Sequence, residues 1–266
     1  MSEPPPLVDI HCHLLPGTDD GASDAEETLA MARLAVDDGI STVVATPHQL
    51  ECFPQNQGPA ILDAVERVRE LLLQHNVPLT VVPGGEVRIV SELVRHLHSG
   101  KLLTLANRGR HVLLELPHDV YFPFDRLIYE LSTAGMVAVL AHPERNPGIA
   151  RQRGAVPALV KAGCLIQITA GSLVGSFGPR VQKFARSLVS GQLAHFVGTD
   201  AHGAASRRPL LRRAFDCVSA LAGRETAVDL CCRNPASVVA GEDVPASRGR
   251  TTKADGGGWF RRRKAG

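Results

Sequence analysis

The sequence predicts an α/β fold of the (β/α)7 type, in which helices pack around a closed parallel sheet. Short runs rich in Val, Ile and Leu alternate with longer stretches of helical periodicity through most of the 266 residues. Seven evenly spaced units of this kind favour a barrel over an open sheet. A glycine stands just before four of the strands, where glycine commonly ends a helix. These are Gly39, Gly135, Gly163 and Gly191.

Each predicted strand is a short apolar run with β-branched residues. The strands are 7–10, 41–45, 79–82, 111–116, 136–141, 164–168 and 195–198. Each predicted helix carries Leu, Val and Ala at helical spacing. The helices are 24–38, 59–75, 124–134, 151–162, 179–190 and 209–222.

The charge distribution separates a folded body from a basic tail. The whole chain has 29 basic and 27 acidic residues, a net charge of +2. From Ala246 onward there are seven basic residues and one acidic residue, so this segment carries +6 and the rest carries −4. We predict a flexible N-terminus at 1–6, one barrel domain at 7–244 and a disordered tail at 245–266, which has few apolar residues to bury. The acidic body argues against a nucleic-acid partner.

We expect a cytoplasmic protein with no integral membrane segment. No run approaches the roughly 18 apolar residues of a membrane-spanning helix, and the N-terminus has neither the basic nor the apolar region of a signal peptide. The six cysteines follow no zinc-binding spacing and lie mostly in apolar segments. We expect all of them to be reduced.

Potential metal ligands cluster where the predicted strands end. His11 and His13 follow the first strand in DIHCH, and their i, i+2 spacing places both side chains on one side of an extended segment. Six further residues lie at the ends of later strands. They are His48 in ATPH, Glu86 in PGGE, Glu115 in LLELP, His142 in AHPER, and Asp200 and His202 in GTDAH. Barrel enzymes place their catalytic residues on this face.

Five imidazoles and at least three carboxylates on one rim would be poorly solvated without cations, so we expect a site for several divalent metal ions. Mixed imidazole and carboxylate ligands suit zinc, manganese or ferrous iron. The absence of cysteine ligands argues against a closed structural zinc site. No cysteine has an arginine six positions later, which argues against a cysteine-dependent phosphatase.

The segments DIHCHLLPGTDDG, ATPH, GGE, LLELP, AHPER and GTDAH resemble, in order and spacing, the polymerase and histidinol phosphatase (PHP) superfamily. The similarity covers residues 7 to about 242. ITAGSLVGSFG at 168–178 and RNP at 233–235 resemble its bacterial capsule and exopolysaccharide branch, the metal-dependent protein-tyrosine phosphatases.

This resemblance implies a distorted TIM-like barrel with three metal ions, most often Mn²⁺, with Fe²⁺, Zn²⁺, Co²⁺ and Mg²⁺ as alternatives. One ion would have four ligands, namely His11, His13, Glu86 and Asp200. Glu86 would bridge to a second ion, held also by Glu115 and His142. The third would be held by Asp20, His48 and His202, and Asp19 is an alternative to Asp20.

The resemblance also implies that Arg145 and Arg207 bind phosphate, and Arg208 is a neighbouring candidate. Three divalent ions and four carboxylates leave a charge of +2 to meet a phosphomonoester dianion, and planar arginines suit its oxygens. We expect metal-bound hydroxide to attack phosphorus directly, so that no covalent nucleophile is needed.

The implied function is hydrolysis of phosphotyrosine on the tail of a bacterial tyrosine autokinase that controls capsule or exopolysaccharide synthesis and export. The alternative is a small-molecule phosphomonoesterase, such as a histidinol-phosphate phosphatase. Both functions use the same metal ligands, so the motifs do not separate them.

Overall fold

A computed structural model describes residues 5–50, 52–152 and 154–244. The tail predicted at 245–266 and the first four residues of the predicted flexible N-terminus lie outside the described residues. The described part of the chain contains nine strands. They are β1 (Leu7–Cys12), β2 (Ile40–Ala45), β3 (His48–Gln49), β4 (Thr80–Pro83), β5 (Glu86–Arg88), β6 (His111–Glu115), β7 (Val137–Ala141), β8 (Leu165–Thr169) and β9 (Phe196–Gly198).

The nine strands occupy seven positions in a curled sheet. Their pairings are all parallel, in the orders β1-β2-β4 and β3-β5-β6-β7-β8-β9. β3 continues β2 after two residues, and β5 continues β4 after Gly84 and Gly85. An isolated parallel bridge between Cys12 and Ala201 joins the first strand to the segment after the last. The predicted distorted barrel is therefore confirmed as a curled parallel half-barrel, with two strand positions broken near their middle.

Eleven α-helices surround the sheet in the described residues. They are α1 (Ala25–Asp37), α2 (Gly58–Gln74), α3 (Leu93–His98), α4 (Asp125–Thr133), α5 (Pro147–Ala150), α6 (Ala155–Lys161), α7 (Ala170–Val174), α8 (Pro179–Ser190), α9 (Arg212–Ala222), α10 (Arg224–Val228) and α11 (Asn234–Ala240). Short 3₁₀ turns occupy Leu105–Asn107 and Pro143–Arg145, and a π turn, Asp229–Arg233, joins α10 to α11.

Two predicted helix starts are wrong. The helix predicted at 151–162 begins only at Ala155, as α6, because Pro157 lacks an N–H and is tolerated in a first turn. The short helix α5 ends at Ala150, before the predicted start. The helix predicted from 209 begins at Arg212, where Asp38 Oδ2 accepts hydrogen bonds from the backbone N–H groups of Leu211 and Arg212 at 2.5 and 2.7 Å.

Alternate side chains of the strands enter two apolar clusters. Val112 and Leu114 belong to the larger cluster between the sheet and the helices. Leu113 belongs to a smaller cluster with Ile10 and Phe196. Because that cluster joins strands that are not neighbours, it lies on the concave side of the sheet. No helix of the described residues has the length and apolar composition needed to cross a membrane.

Candidate metal centre

The structure brings all nine predicted ligands together at the carboxyl ends of the strands. Their nitrogen and oxygen atoms form four overlapping groups, each within 4.8 Å. The groups are His13, Asp20, His48 and His202; His11, His142 and Asp200; His11, His13 and Glu86; and His48, Glu86 and Glu115. The groups share members, as expected for ligands around several neighbouring ions.

Glu86 lies at the middle of the cluster and is 1% exposed. Its Oε2 lies 3.3 Å from His11 Nε2, 3.5 Å from His13 Nε2 and 3.1 Å from His48 Nδ1. Its Oε1 lies 3.1 Å from His142 Nε2. No described residue donates a hydrogen bond to the buried Oε2. One carboxylate thus faces four imidazoles, which suits a bridging ligand.

In two of the imidazoles, the nitrogen that points away from Glu86 is held by a hydrogen bond. His11 Nδ1 donates to Gln167 Oε1 at 3.0 Å, and His13 Nδ1 donates to Asp19 Oδ2 at 2.7 Å. Their Nε2 atoms lie 3.4 Å apart, and in the neutral form of each imidazole, the form that binds a metal, Nε2 carries the lone pair. Asp200 Oδ1 lies 3.4 and 3.5 Å from these two nitrogens. With the imidazoles neutral, the atoms that face the shared space are all acceptors, so the residues present fit divalent cations.

The two neighbouring aspartates point in different directions. Asp20 is about half exposed, and its Oδ1 lies 3.5 Å from His48 Nε2 and 3.4 Å from His202 Nε2. Asp19 is packed behind His13 and also accepts a hydrogen bond from the backbone N–H of His48 at 2.8 Å. The geometry therefore places Asp20 among the ligand atoms and Asp19 behind them.

The pKa values reflect this crowding of charges. Burial raises the pKa of Glu86, but the charge of His11 opposes this effect, and the pKa lies well below its usual range. The pKa of Asp200 is also well below its usual range, because His11 again opposes the effect of burial. The pKa of His13 is well above its usual range because its carboxylate partners outweigh burial. Burial and the charge of Glu86 raise the pKa of Glu115. The ionised carboxylates favour positive charge on this cluster.

Backbone geometry also distinguishes the site. His142, Asp200 and Arg207 have positive φ angles of 33°, 52° and 47°. Such angles are uncommon for residues other than glycine and cluster at functional sites, where surrounding contacts maintain them. At Gly21 a Cβ atom would stand 2.2 Å from the carbonyl oxygen of His13, so the chain needs glycine there to pass behind that ligand.

Sequence reasoning missed three polar residues that support the ligands. Gln167 holds His11, and Arg88 Nε lies 3.1 Å from Glu115 Oε2. Asp9 accepts hydrogen bonds from the backbone N–H groups of His11 and Thr199 at 3.1 and 3.0 Å, so it joins β1 to the end of β9. Burial raises the pKa of Asp9 to about 6. A single polar residue inside an apolar strand, such as Asp9 or Gln167, is the signal that could have identified them.

The two predicted phosphate-binding arginines border the cluster. Arg207 Nη2 lies 2.6 Å from Asp200 Oδ2, which Arg145 Nη1 also contacts. The Arg145 guanidinium stacks 4.5 Å above the ring of Phe177. Arg208 is exposed, and no ion pair to Asp200 involves it within the described ranges. The structure thus favours Arg207 over Arg208 at this border.

The fold and site define a parallel α/β half-barrel whose strand ends form a candidate multinuclear metal centre. Residues 7–240 match the family described as capsular polysaccharide synthesis, CpsB/CapC, and the chain belongs to this family. It is 40% identical over 202 residues to the tyrosine-protein phosphatase YwqE of Bacillus subtilis, covering 76% of this chain and 79% of that protein. It is 27% identical over 239 residues to the tyrosine-protein phosphatase CpsB of Streptococcus pneumoniae, covering 88% and 98%.

A solved structure gives the same result. This chain superposes with a TM-score of 0.86 and 36% identity on a crystal structure from work on B. subtilis YwqE and S. pneumoniae CpsB, described as metal-dependent tyrosine phosphatases. The match covers 90% of this chain and 96% of that chain. The predicted relationship to the capsule branch of tyrosine phosphatases is confirmed.

Proposed function

We propose that this protein is a metal-dependent protein-tyrosine phosphatase of capsule or exopolysaccharide synthesis. One observation carries the proposal. Nine imidazole and carboxylate side chains meet at one rim and are bordered by two arginines. A rim that offers overlapping ligand sets for several divalent ions beside two planar cations suits a phosphate dianion. The named relatives and the matched crystal structure support tyrosine phosphate as the substrate.

We assign the metal ligands in three sets, with Mn²⁺ as the preferred ion. The first set is His11, His13, Glu86 and Asp200. The second is Glu86, Glu115 and His142. The third is Asp20, His48 and His202. Divalent ions held there supply Lewis-acid chemistry, which makes water nucleophilic at neutral pH and neutralises phosphoryl oxygens.

The chain's own residues position the substrate. Arg145 and Arg207 present guanidinium donors beside Asp200, where they would hold phosphoryl oxygens and stabilise charge that grows in the transition state. Cys12 is fully buried, and burial raises the pKa of its thiol well above the usual range. A cysteine nucleophile at this position is therefore disfavoured, which agrees with direct attack by water.

We further propose that the substrate is the phosphotyrosine-bearing tail of a bacterial tyrosine kinase in the cytoplasm. Free thiols suit a reducing compartment, and all six cysteines are free. A peptide tail is an extended substrate, and Asp20 and His48, on the outer side of the cluster, are 56% and 21% exposed. The cluster is thus accessible from its outer side.

The test is a substrate comparison with metal-stripped protein reconstituted with Mn²⁺. We expect kcat/KM for a phosphotyrosine peptide to exceed that for a phosphoserine peptide and for histidinol phosphate by at least about tenfold, a difference of 1.4 kcal/mol in transition-state binding. A preference for histidinol phosphate would refute the tyrosine phosphatase proposal. Parallel reconstitution with Fe²⁺, Zn²⁺, Co²⁺ and Mg²⁺ tests the choice of metal.

A further inference from the structure

A cavity of about 280 Å³ lies beside the candidate metal centre, between the segments that follow β8 and β9 and the start of α9. Three arginines line it, namely Arg207, Arg208 and Arg213. We call it the arginine cavity. Its remaining lining is largely apolar and includes Phe177 and Leu210. Since a water molecule occupies ~30 Å³, the cavity has room for a whole side chain.

The charge of this cavity is unbalanced. No acidic residue lines it within the described part of the chain. Arg208 and Arg213 are exposed, and the ion pairs found among the described residues involve neither of them. Arg213 is the second residue of α9, where the helix dipole disfavours a cation. Arg207 Nε is buried without a hydrogen-bond partner in the same part of the chain.

The arginine cavity adjoins the candidate phosphate site through shared residues. Arg207 lines the cavity and places its Nη2 atom 2.6 Å from Asp200 Oδ2. Phe177 lines the cavity and lies 4.5 Å beneath the guanidinium of Arg145. A peptide whose phosphate reaches these two arginines therefore passes next to the cavity. An extended peptide advances about 3.3 Å per residue, so side chains within a few positions of the phosphotyrosine are in reach.

We propose that the arginine cavity selects substrates by binding an anionic side chain, a carboxylate or a second phosphate, close in sequence to the phosphotyrosine. This inference rests on the proposed phosphatase function and adds a preference for acidic peptide sequence. The apolar lining lowers the local dielectric and strengthens pairing of the anion with the guanidinium groups. The anionic group pairs with Arg208 and Arg213, while Arg207 stays close to the phosphate under hydrolysis.

The test uses the full chain with Mn²⁺ and a series of phosphotyrosine peptides. Each peptide carries one Glu at one of the three positions before or after the phosphotyrosine. Each is compared with the same peptide in which Gln replaces that Glu. We expect at least one Glu peptide to exceed its Gln partner in kcat/KM by about fivefold to tenfold, mainly through a lower KM, as for a charge-assisted hydrogen bond. Arg213→Gln should reduce this ratio to below about twofold. A second phosphotyrosine in place of Glu tests the phosphate source.

Arg180→Gln is the matched control, because Arg180 is also the exposed second residue of an amphipathic helix, α8, and does not line the cavity. It should leave the Glu/Gln ratio as in the unmodified protein. An equal loss in both variants would show general surface attraction and overturn the inference. Hydrolysis of the peptides with no Glu or phosphate preference would overturn the inference alone, whereas failure to hydrolyse any phosphotyrosine peptide would refute the phosphatase proposal as well.

Discussion

Asp19 Oδ2 accepts a hydrogen bond from His13 Nδ1 at 2.7 Å and a second one from the backbone N–H of His48 at 2.8 Å. Its Oδ1 accepts a third from the backbone N–H of Gly21 at 3.0 Å. Asp19 thus orients one imidazole and fixes the main chain of another candidate ligand. Asp20, the next residue, instead directs its carboxylate towards His48 and His202. Of these adjacent carboxylates, Asp19 therefore supports candidate ligands, whereas Asp20 is itself a candidate ligand.

The two aspartates should respond differently to replacement by Asn. Asp20→Asn removes a candidate ligand, so we expect the saturated protein to hold one metal ion fewer. Asp19→Asn leaves an NH₂ group facing an N–H donor, which disturbs the orientation of His13. We expect it to keep the full number of ions with roughly 10–100-fold weaker affinity, as for other residues that support a ligand. Metal analysis after dialysis and chelator competition measure the two effects. Asp63→Asn, on the exposed face of α2, is the control, and the reverse pattern would exchange the roles.

Glu86 should be essential for metal-linked stability. Its two oxygens face different imidazoles, and Gln cannot bridge two cations as a carboxylate does. A ligand present at 100 times its Kd stabilises a fold by about 2.7 kcal/mol, so bound Mn²⁺ should raise the Tm of the unmodified protein. We expect Glu86→Gln to lose most of this rise in Tm. Turnover should fall about 100-fold or more. Thermal unfolding with and without Mn²⁺ measures the change in Tm, and an aryl phosphate assay measures turnover. Full turnover in the variant would show that the site is wrongly assigned.

The position of the centre could be predicted because of a general property of parallel sheets. His48, Glu115 and His142 each lie at or just after the end of a recognisable apolar strand, and parallel strands present their carboxyl ends at one edge. The predicted site residues therefore converge without knowledge of any contact. The strand positions themselves follow from local apolar patterning, which explains why most boundaries agree within one or two residues.

Other features depend on contacts between distant segments. Gln167 and His11 are 156 residues apart, and no local pattern shows that they meet. The breaks before His48 and Glu86 leave strands of two and three residues, which are too short for periodicity to reveal. Arg207 and Arg208 are adjacent in sequence, yet Arg207, in the left-handed backbone conformation, is the one that contacts Asp200. Tertiary structure decides each of these points.

The three candidate phosphate-binding arginines should differ in their effect on catalysis. Arg145→Ala and Arg207→Ala each remove a donor at the phosphate position, and we expect kcat/KM for a small aryl phosphate to fall roughly 10²–10³-fold, as for loss of one transition-state donor. Metal content should stay the same, because neither residue is a ligand. Arg208→Ala should lower kcat/KM by less than about threefold. Steady-state kinetics with parallel metal analysis test the order, and a larger loss for Arg208→Ala than for Arg207→Ala would reverse our choice.

His111 should make the fold sensitive to acid. It is 1% exposed, and neither ring nitrogen has a hydrogen-bond partner in the described residues. Burial, followed by the charge of Arg110, lowers its pKa from 6.5 to about 4, so the unfolded chain binds this proton more readily than the folded one. Stability is therefore lost as pH falls from 6.5 to 4, by about 3 kcal/mol at most. We expect His111→Leu to lose less stability over this range in urea unfolding with a chelator present. His98→Leu, on an exposed site, should follow the unmodified protein, and equal losses in all three proteins would contradict the prediction.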